Sequence, residues 1–299
     1  MWFRNLQIFR LTSGWDYPTE SLTAALHKGI FAGCGATDRV ARGWVPPRGN
    51  EGELVFSVEH QQLIALGVEQ KLLPASVVRQ YAQAKLTEIE AAQGYKPGRK
   101  QVREVIDQLE AELLPRAFVK RGLTYVWIDP INRWLLVDAS SSTRADEVME
   151  HLKLSLGDLP VTLLKTQLAP ATAMTQWLAA GEAPGSFTID RDCELRATAE
   201  ERAAVRYARH NLDSDDVRSH IAGGKSATRL ALTWNDRISF VLTEQLQIKR
   251  LAFLDLLKED AERQSENADD LFAANFTLMC GELAQLLEHL LAILGGEGE

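Results

Sequence analysis

The sequence has only three cysteines in 299 residues, and no two of them are close together. Cys34, Cys193 and Cys280 are too far apart for a zinc ribbon, and an odd number does not suit a disulfide framework. A basic surplus is also missing, because 41 Asp and Glu outnumber 33 Lys and Arg and give a net charge of −8. Any site for a polyanion must therefore be a local basic surface on an acidic protein.

Long uninterrupted apolar runs are scarce as well. Four polar residues break up the first eleven positions, so no signal-peptide core is expected. The most apolar stretch near the C-terminus is interrupted by Glu282, Glu288 and His289, and we expect it to fall short of a membrane span. The chain nevertheless contains 45% hydrophobic residues, enough to fold. We expect a soluble, cytoplasmic protein with no membrane partner.

Hydrophobic residues follow a two-residue period in some segments and a helical period in others. Alternating or β-branched segments predict strands at 2–11, 53–58, 61–70, 124–128, 134–137, 161–166, 225–234 and 237–243, with weaker strand character over 186–209. Helical spacing predicts helices at 19–28, after Pro74 with Ser76 as N-cap, from near Gly98 to Pro115, and at 144–156, 170–180, 213–223 and the C-terminus.

The order of these elements predicts an α+β fold rather than a strict βαβ alternation. We expect antiparallel hairpin sheets with inserted helices, a projecting αα-hairpin lobe and a long C-terminal helix. The corresponding division is an N-terminal α+β region at 1–73, the helical-hairpin lobe at 74–116, a central α+β region at 117–182 and a C-terminal α+β region at 183–299.

Nucleotide-binding motifs are incomplete. Gly224-Lys225-Ser226 lacks the earlier glycine of a P-loop, where Ser219 stands, and it follows a predicted helix instead of a strand. A helix end leading into a hairpin explains these residues better. Gly33-Cys34-Gly35 has Asp38 at the third glycine position of a dinucleotide fingerprint and also follows a predicted helix. Neither segment predicts a nucleotide site.

Signatures of catalysis are missing too. The sequence contains no GxSxG, no HExxH and no paired-histidine metal spacing. Cys34 could act with His27 or His60, but nothing in the sequence brings them together. We therefore expect no enzymatic activity, no cofactor and no metal. Two alternatives remain open: a small-molecule enzyme whose site forms only in three dimensions, and a protein-interaction module.

Positive charge is concentrated in one segment. Residues 96–121 contain seven Lys and Arg against four Asp and Glu. Arg99, Lys100 and Arg103 fall on one face of the predicted helix that begins near Gly98. A solvated helix face explains such a pattern without any function, whereas the functional interpretation is a surface that contacts phosphates.

A second basic cluster lies on a predicted strand and just after it. It comprises Arg202, Arg206, Arg209 and His210, followed by Lys225 and Arg229. Aromatic residues do not alternate with these cations as they do in a platform that stacks single-stranded bases. If DNA is bound, contacts to the backbone are therefore expected rather than base reading.

Several segments together resemble the bacterial recombination-associated RdgC family. The likeness runs nearly from end to end in the same order, and the combination is specific although no single piece is a chemical motif. The segments are Trp2-Phe3-Arg4-Asn5-Leu6, Gly43-Trp44-Val45-Pro46-Pro47, Leu113-Leu114-Pro115-Arg116-Ala117-Phe118, Trp127-Ile128-Asp129, 155–161, 225–234 and Gly281-Glu282-Leu283-Ala284.

The resemblance implies a non-enzymatic, nucleoid-associated protein that binds double-stranded DNA with little sequence preference. It further implies a ring-shaped homodimer with a positively lined central hole, which restrains the RecA recombinase. Such a ring would reconcile an acidic protein with DNA binding, because the outer surface can be acidic while the lining is basic.

Site residues are carried over one at a time. Arg116 and Phe118 match the Leu-Leu-Pro-Arg-Ala-Phe motif of the family, which places Arg116, with Lys120 after it, near DNA and Phe118 at a dimer interface. The remaining candidates for DNA binding are Arg209, His210, Lys225, Lys96, Arg99 and Lys100. His210 departs from the family pattern, and the segment 96–103 is variable, so only its charge is transferable. Ordinary core packing is the alternative for Phe118.

Overall fold

The computed structural model describes residues 1–12, 14–49, 52–197, 203–254 and 267–298. Within these ranges, twelve strands and seven α-helices form an α+β protein in which every strand pairs with its neighbours in antiparallel fashion. The predicted fold class is confirmed. The division into four regions stays a prediction, although strands from before and after the helical hairpin share one sheet.

The first sheet contains seven strands. They are β1 (Gln7–Leu11), β2 (Val40–Val45), β3 (Phe56–Val58), β4 (Gln61–Leu72), β5 (Phe118–Asp129), β6 (Trp134–Val137) and β7 (Val161–Leu163). Their order is β2-β4-β5-β6-β1-β7, and β3 also pairs with β4. The longest pairing joins β4 to β5, from Gln62 opposite Ile128 to Leu72 opposite Phe118. These two strands connect the body of the sheet to the helical hairpin.

Two of the predicted strands have different bounds. The strand predicted at 2–11 begins only at Gln7. Strand β5 begins at Phe118, six residues before the predicted start, because Lys120, Arg121 and Gly122 interrupt the apolar pattern there. The first half of β5 is exposed or half-buried. Its sequence therefore lacks the alternation of apolar and polar residues that marks a strand with one buried face.

One face of the first sheet is covered by α1 (Thr19–Leu26) and α4 (Ser142–Leu156). Leucines of both helices and residues of the central strands form a buried cluster around Trp44. The Trp44 indole N–H donates a hydrogen bond of 2.9 Å to Ser155 Oγ, which satisfies its polar atom inside the core. This contact fixes α4 against β2.

The helical hairpin consists of α2 (Ala75–Gln93) and α3 (Arg99–Leu113). It has a small core of its own, formed by Val78, Ala82, Val105 and Leu109. Helix α2 follows directly on Pro74 without a side-chain cap, so the prediction of Ser76 as N-cap is wrong. At 1.5 Å per residue, the loop between the helices lies about 28 Å along α2 from β4.

The second sheet follows in the chain. It contains β8 (Phe187–Ala197), β9 (Ala204–Tyr207), β10 (Lys225–Trp234), β11 (Ile238–Thr243) and β12 (Ile248–Phe253), in the order β12-β11-β10-β8-β9. The predicted hairpin between β10 and β11 is confirmed. Strand β12 was not predicted.

Helix α6 (Asp215–Ala222) ends before Gly224, whose φ of 85° leads into β10. This geometry confirms the helix end that was expected at Gly224-Lys225-Ser226 instead of a P-loop.

The two sheets enclose the main core. Side chains of α5 (Pro170–Ala180) and α7 (Ala268–Ile293) pack there against residues of both sheets. Helix α7 is long and apolar enough to cross a membrane by length and composition, so the sequence argument against such a span was too strong. Its apolar stripe, which includes Phe276, Leu283 and Leu290, is buried in the protein.

Candidate nucleic-acid interface

The second sheet carries a small basic pocket on the face turned away from the core. Arg206 on β9, Arg229 on β10 and Lys249 on β12 line it, together with Arg250 and Asn5. Asp192 and Glu194 on β8 also line it, and the remaining lining residues are Cys193, Tyr207 and Val241. The cavity has a volume of about 140 Å³. We call these residues the basic pocket.

Strand register places the three cations on one face. Glu194 lies directly opposite both Arg206 and Arg229, and directly opposed residues point to the same side of a sheet. Lys249 lies opposite Val241 on β11, and Val241 lies opposite Ala231, which is two residues from Arg229 and therefore on the same face. Because neighbouring strands are about 4.8 Å apart and Lys249 is also offset by two residues along the sheet, Arg206 starts about 10 Å and Lys249 about 12 Å from Arg229. Side chains as long as these can converge over that distance.

Charge in the pocket is only partly compensated. Arg250 pairs with Asp192 at 3.4 Å, and Glu194 accepts from Arg196 at 2.8 Å and from the Thr228 hydroxyl at 3.2 Å. Within the part of the chain that the structure describes, the side chains of Arg206, Arg229 and Lys249 have no hydrogen bond and no ion pair. Burial and, after it, the nearby Arg229 guanidinium lower the pKa of Lys249.

The predicted pair Arg209 and His210 lies in the loop after β9. The Arg209 amide donates a hydrogen bond of 2.8 Å to Asp192, the carboxylate that also pairs with Arg250. Arg209 has a φ of 54°, a left-handed conformation held by this contact. The Arg209 backbone therefore contacts Asp192 of the basic pocket, while Arg209 lines a neighbouring cavity with Asp190 and Arg191. Arg202 lies outside the described residues.

Lys225 and His210 have separate contacts near the edge of the same sheet. The Lys225 ammonium donates a hydrogen bond of 3.2 Å to Nδ1 of His220 on α6. The rings of His210 and His220 lie 5.1 and 6.3 Å from the Tyr207 ring. Lys225 thus has a contact on the side of the sheet that α6 covers. It is not among the residues that line the basic pocket.

The other predicted DNA contacts lie in the helical hairpin. Lys96 is in the loop between its helices, and Arg99 and Lys100 begin α3. All three are exposed, and Lys100 is 3.9 Å from Glu104 one turn later. The structure does not join these residues to the basic pocket.

Arg116, Phe118 and Lys120 lie where the hairpin returns to the first sheet. Arg116 ends a short 3₁₀ turn, and Phe118 begins β5. Phe118 is 86% exposed, which makes the alternative of core packing wrong. Its cross-strand neighbour Leu72 is 47% exposed, so the two form an exposed apolar pair. Exposed apolar side chains placed in this way suit an interface.

Next to this pair, Arg121 is held by Glu69. Its guanidinium lies 2.8 Å from the Glu69 carboxylate, which also accepts a hydrogen bond of 3.0 Å from the Cys34 amide. The Cys34 amide, followed by Arg121, lowers the pKa of Glu69. Cys34 is therefore part of a structural contact with β4.

The alternative of a small-molecule enzyme gains little from the cavities. A groove of about 610 Å³ with much apolar lining lies beside Trp44 and includes Ile30, Leu54 and Leu123. In the described ranges, no group of three or more His, Cys, Asp or Glu side chains is arranged to hold a metal ion. Asp215 and Asp216 occupy the first turn of α6, as helix-start charges.

Sequence reasoning missed two of the four cations of the basic pocket, Lys249 and Arg250, because β12 was not predicted. The segment 247–253 does carry a signal, since Ile248, Leu251 and Phe253 are buried and polar residues lie between them. Predicting a third strand after the hairpin of β10 and β11 would have placed these cations on the same sheet as Arg229.

Comparison with known proteins identifies the family. A family model described as "Putative exonuclease, RdgC" matches residues 1–297. The Recombination-associated protein RdgC of Dechloromonas aromatica is 53% identical over 300 residues, which cover 99% of this chain and 98% of the relative. Proteins of the same name from Janthinobacterium sp. and Herminiimonas arsenicoxydans are 51% and 49% identical, and each comparison covers at least 99% of both chains. The relatives' names mention recombination and no enzymatic activity, whereas the family description mentions an exonuclease. The chain belongs to the RdgC family of recombination-associated proteins.

Proposed function

We propose that this chain binds double-stranded DNA through its phosphates, with little dependence on sequence, as part of its role in recombination. The observation that carries the proposal is the convergence of Arg206, Arg229 and Lys249 on one sheet face without partners among the described residues. Arg206 and Arg229 are exposed and Lys249 is half-buried, so an anionic ligand can reach all three and reduce their mutual repulsion. Arginine and lysine on a sheet face suit phosphate oxygens better than base edges.

The proposed assembly is a ring-shaped homodimer around the duplex, and Phe118 contributes to its interface. An acidic chain with a net charge of −8 can bind DNA in this way if its basic residues face the hole. The exposed pair of Phe118 and Leu72 supports a second copy as partner, because apolar side chains this exposed gain from being covered. Residues of the hairpin, Lys96, Arg99 and Lys100, would add contacts at the rim.

The consequence for recombination is competition for DNA. A protein that surrounds the duplex and occupies its phosphates limits access of the RecA recombinase without enzymatic activity and without a cofactor. This activity places the protein in the cytoplasm, on the nucleoid. Direct contact with RecA is not needed for this effect.

A salt titration with duplex DNA tests the proposal. If each protomer neutralises three phosphates, the dimer neutralises about six, and the slope of log affinity against log salt is about −5. The triple variant Arg206→Gln, Arg229→Gln, Lys249→Gln should lose binding at low salt. The matched control Lys28→Gln, Arg144→Gln, Lys153→Gln removes three exposed cations from the helical side of the first sheet and should bind normally. A flat salt response, or a strong preference for one short sequence, would contradict the proposal.

A further inference from the structure

The basic pocket has the charge of a site for a doubly charged anion. Its lining contains four cationic side chains and two carboxylates, which leaves a surplus of two positive charges. A phosphodiester inside a DNA strand carries one negative charge. A terminal phosphate is a monoester and carries about −1.5 to −2 at neutral pH. The charge of the pocket therefore matches a monoester better than a single backbone phosphate.

The arrangement of the carboxylates supports this match. Asp192 is occupied by the Arg209 amide and by Arg250, and Glu194 by Arg196 and Thr228. Among the described residues, neither carboxylate pairs with Arg206, Arg229 or Lys249. The N–H donors of the three cations are therefore available to a ligand. The two carboxylates instead hold Arg250, Arg196 and the Arg209 backbone in place around the pocket.

The position of the cations suits a compact anion. Arg206, Arg229 and Lys249 come from three different strands and line one cavity of about 140 Å³, so they can contact different oxygens of the same phosphate group. The rest of a nucleotide or of a DNA end would extend from the open side of the cavity.

We propose that the basic pocket binds a phosphate monoester dianion, as found at a phosphorylated DNA end. Arg206, Arg229 and Lys249 contact its oxygens, and Asn5 adds a polar side chain at the wall. The choice of a DNA end as the source rests on the proposed function. A free mononucleotide has the same chemistry, and the test separates the two sources.

The test compares three forms of duplex DNA: a closed circle, a short linear duplex with 5′-phosphates and the same duplex with 5′-hydroxyls. We expect the phosphate to raise affinity for the linear duplex about tenfold. Lys249→Gln should reduce that ratio to less than about twofold. Arg229→Gln, at an exposed position in the same pocket, should do the same and serves if the half-buried Lys249 variant folds poorly. Lys153→Gln, far from the pocket on α4, should keep the full ratio.

A competition experiment tests whether a free mononucleotide binds in the same pocket. Adenosine 5′-monophosphate carries the dianion, and its 3′,5′-cyclic diester carries one charge on nearly the same atoms. The monophosphate should displace the phosphorylated duplex at lower concentration than the cyclic diester does. Equal competition by both would overturn the assignment of a monoester.

The outcomes separate this inference from the proposed function. Equal affinity for phosphate and hydroxyl ends, with the closed circle still bound, overturns the monoester site and leaves duplex binding intact. Binding of phosphorylated ends or of the mononucleotide without binding of the circle supports the pocket and overturns the encircling function. Failure to bind all of these probes overturns both.

Discussion

Leu6 and Ile248 exchange both of their backbone hydrogen bonds, at 2.8 and 3.1 Å. This pair joins the segment before β1 to the outer edge of β12 and so connects the first sheet to the second. Arg4 extends the connection by accepting a hydrogen bond of 2.8 Å from the Leu251 amide. Because Lys249 lies beside this pairing, the position of the basic pocket is fixed by residues at the opposite end of the chain.

The exposed Phe118 gives the first prediction. Phe118→Ala should loosen the proposed homodimer while leaving the free energy of unfolding within about 0.5 kcal/mol, because the side chain has few contacts to lose in its own chain. Sedimentation velocity over a concentration series measures the first quantity, and urea unfolding measures the second. Leu154→Ala, at a position 74% exposed on α4, is the control and should change neither. An unchanged dimer would remove Phe118 from the interface.

The hairpin of β10 and β11 shows how far sequence reasoning reached. Alternating apolar residues and the pair Asn235-Asp236 predicted it, and both turn residues have the positive φ, 53° and 51°, that such a turn requires. The next strand was missed for a physical reason. Arg250 has a φ of 52°, and the register between β11 and β12 shifts after Ser239, so the alternation that marks a strand is interrupted.

The candidate site was only partly predictable. The sequence placed Arg206 and Arg229 in a basic cluster, and the family resemblance added Arg209 as a candidate for DNA binding. Their convergence depends on strand order, because β8 lies between β9 and β10 although it precedes both in the chain. Register across five strands is set by packing against the core and cannot be obtained from the spacing of charges alone.

Close packing at Gly43 gives the second prediction. A Cβ atom there would lie 2.5 Å from the Cα of Phe31, a backbone atom that cannot move aside easily. Gly43→Ala should therefore lower the free energy of unfolding by about 2 kcal/mol or more. Gly122→Ala on β5 is the matched control, since its Cβ would meet nothing within 4 Å. Urea unfolding compares the two, and equal effects would mean that the backbone at Phe31 yields.

The three cysteines should differ in reactivity. Burial raises the pKa of Cys193 to about 11, so about one thiol in a thousand is ionised at pH 8. Burial also raises the pKa of Cys280. Cys34 is half-buried and should react first with iodoacetamide. Peptide mass spectrometry at timed intervals measures the order, and urea should remove the difference. Early modification of Cys193 in the folded protein would contradict the burial that raises its pKa.

Charge removal at two separate places gives the last prediction. In the proposed homodimer, the double variant Arg116→Ala, Arg209→Ala removes four charges, and the Arg209 amide contacts Asp192 of the basic pocket. Each lost phosphate contact should lower the magnitude of the salt slope by about one. The triple variant Lys96→Ala, Arg99→Ala, Lys100→Ala should weaken duplex binding less, because these side chains are exposed and solvent and salt screen them more strongly.

The thermal midpoint should stay nearly unchanged in both variants, since exposed basic residues contribute within about 0.5 kcal/mol to folding. Mobility-shift titrations at several salt concentrations give the ranking. If the hairpin triple abolishes binding and the double variant binds normally, the duplex lies across α2 and α3. A protein that holds DNA on its projecting lobe would not need to encircle it, and the ring model would then be wrong.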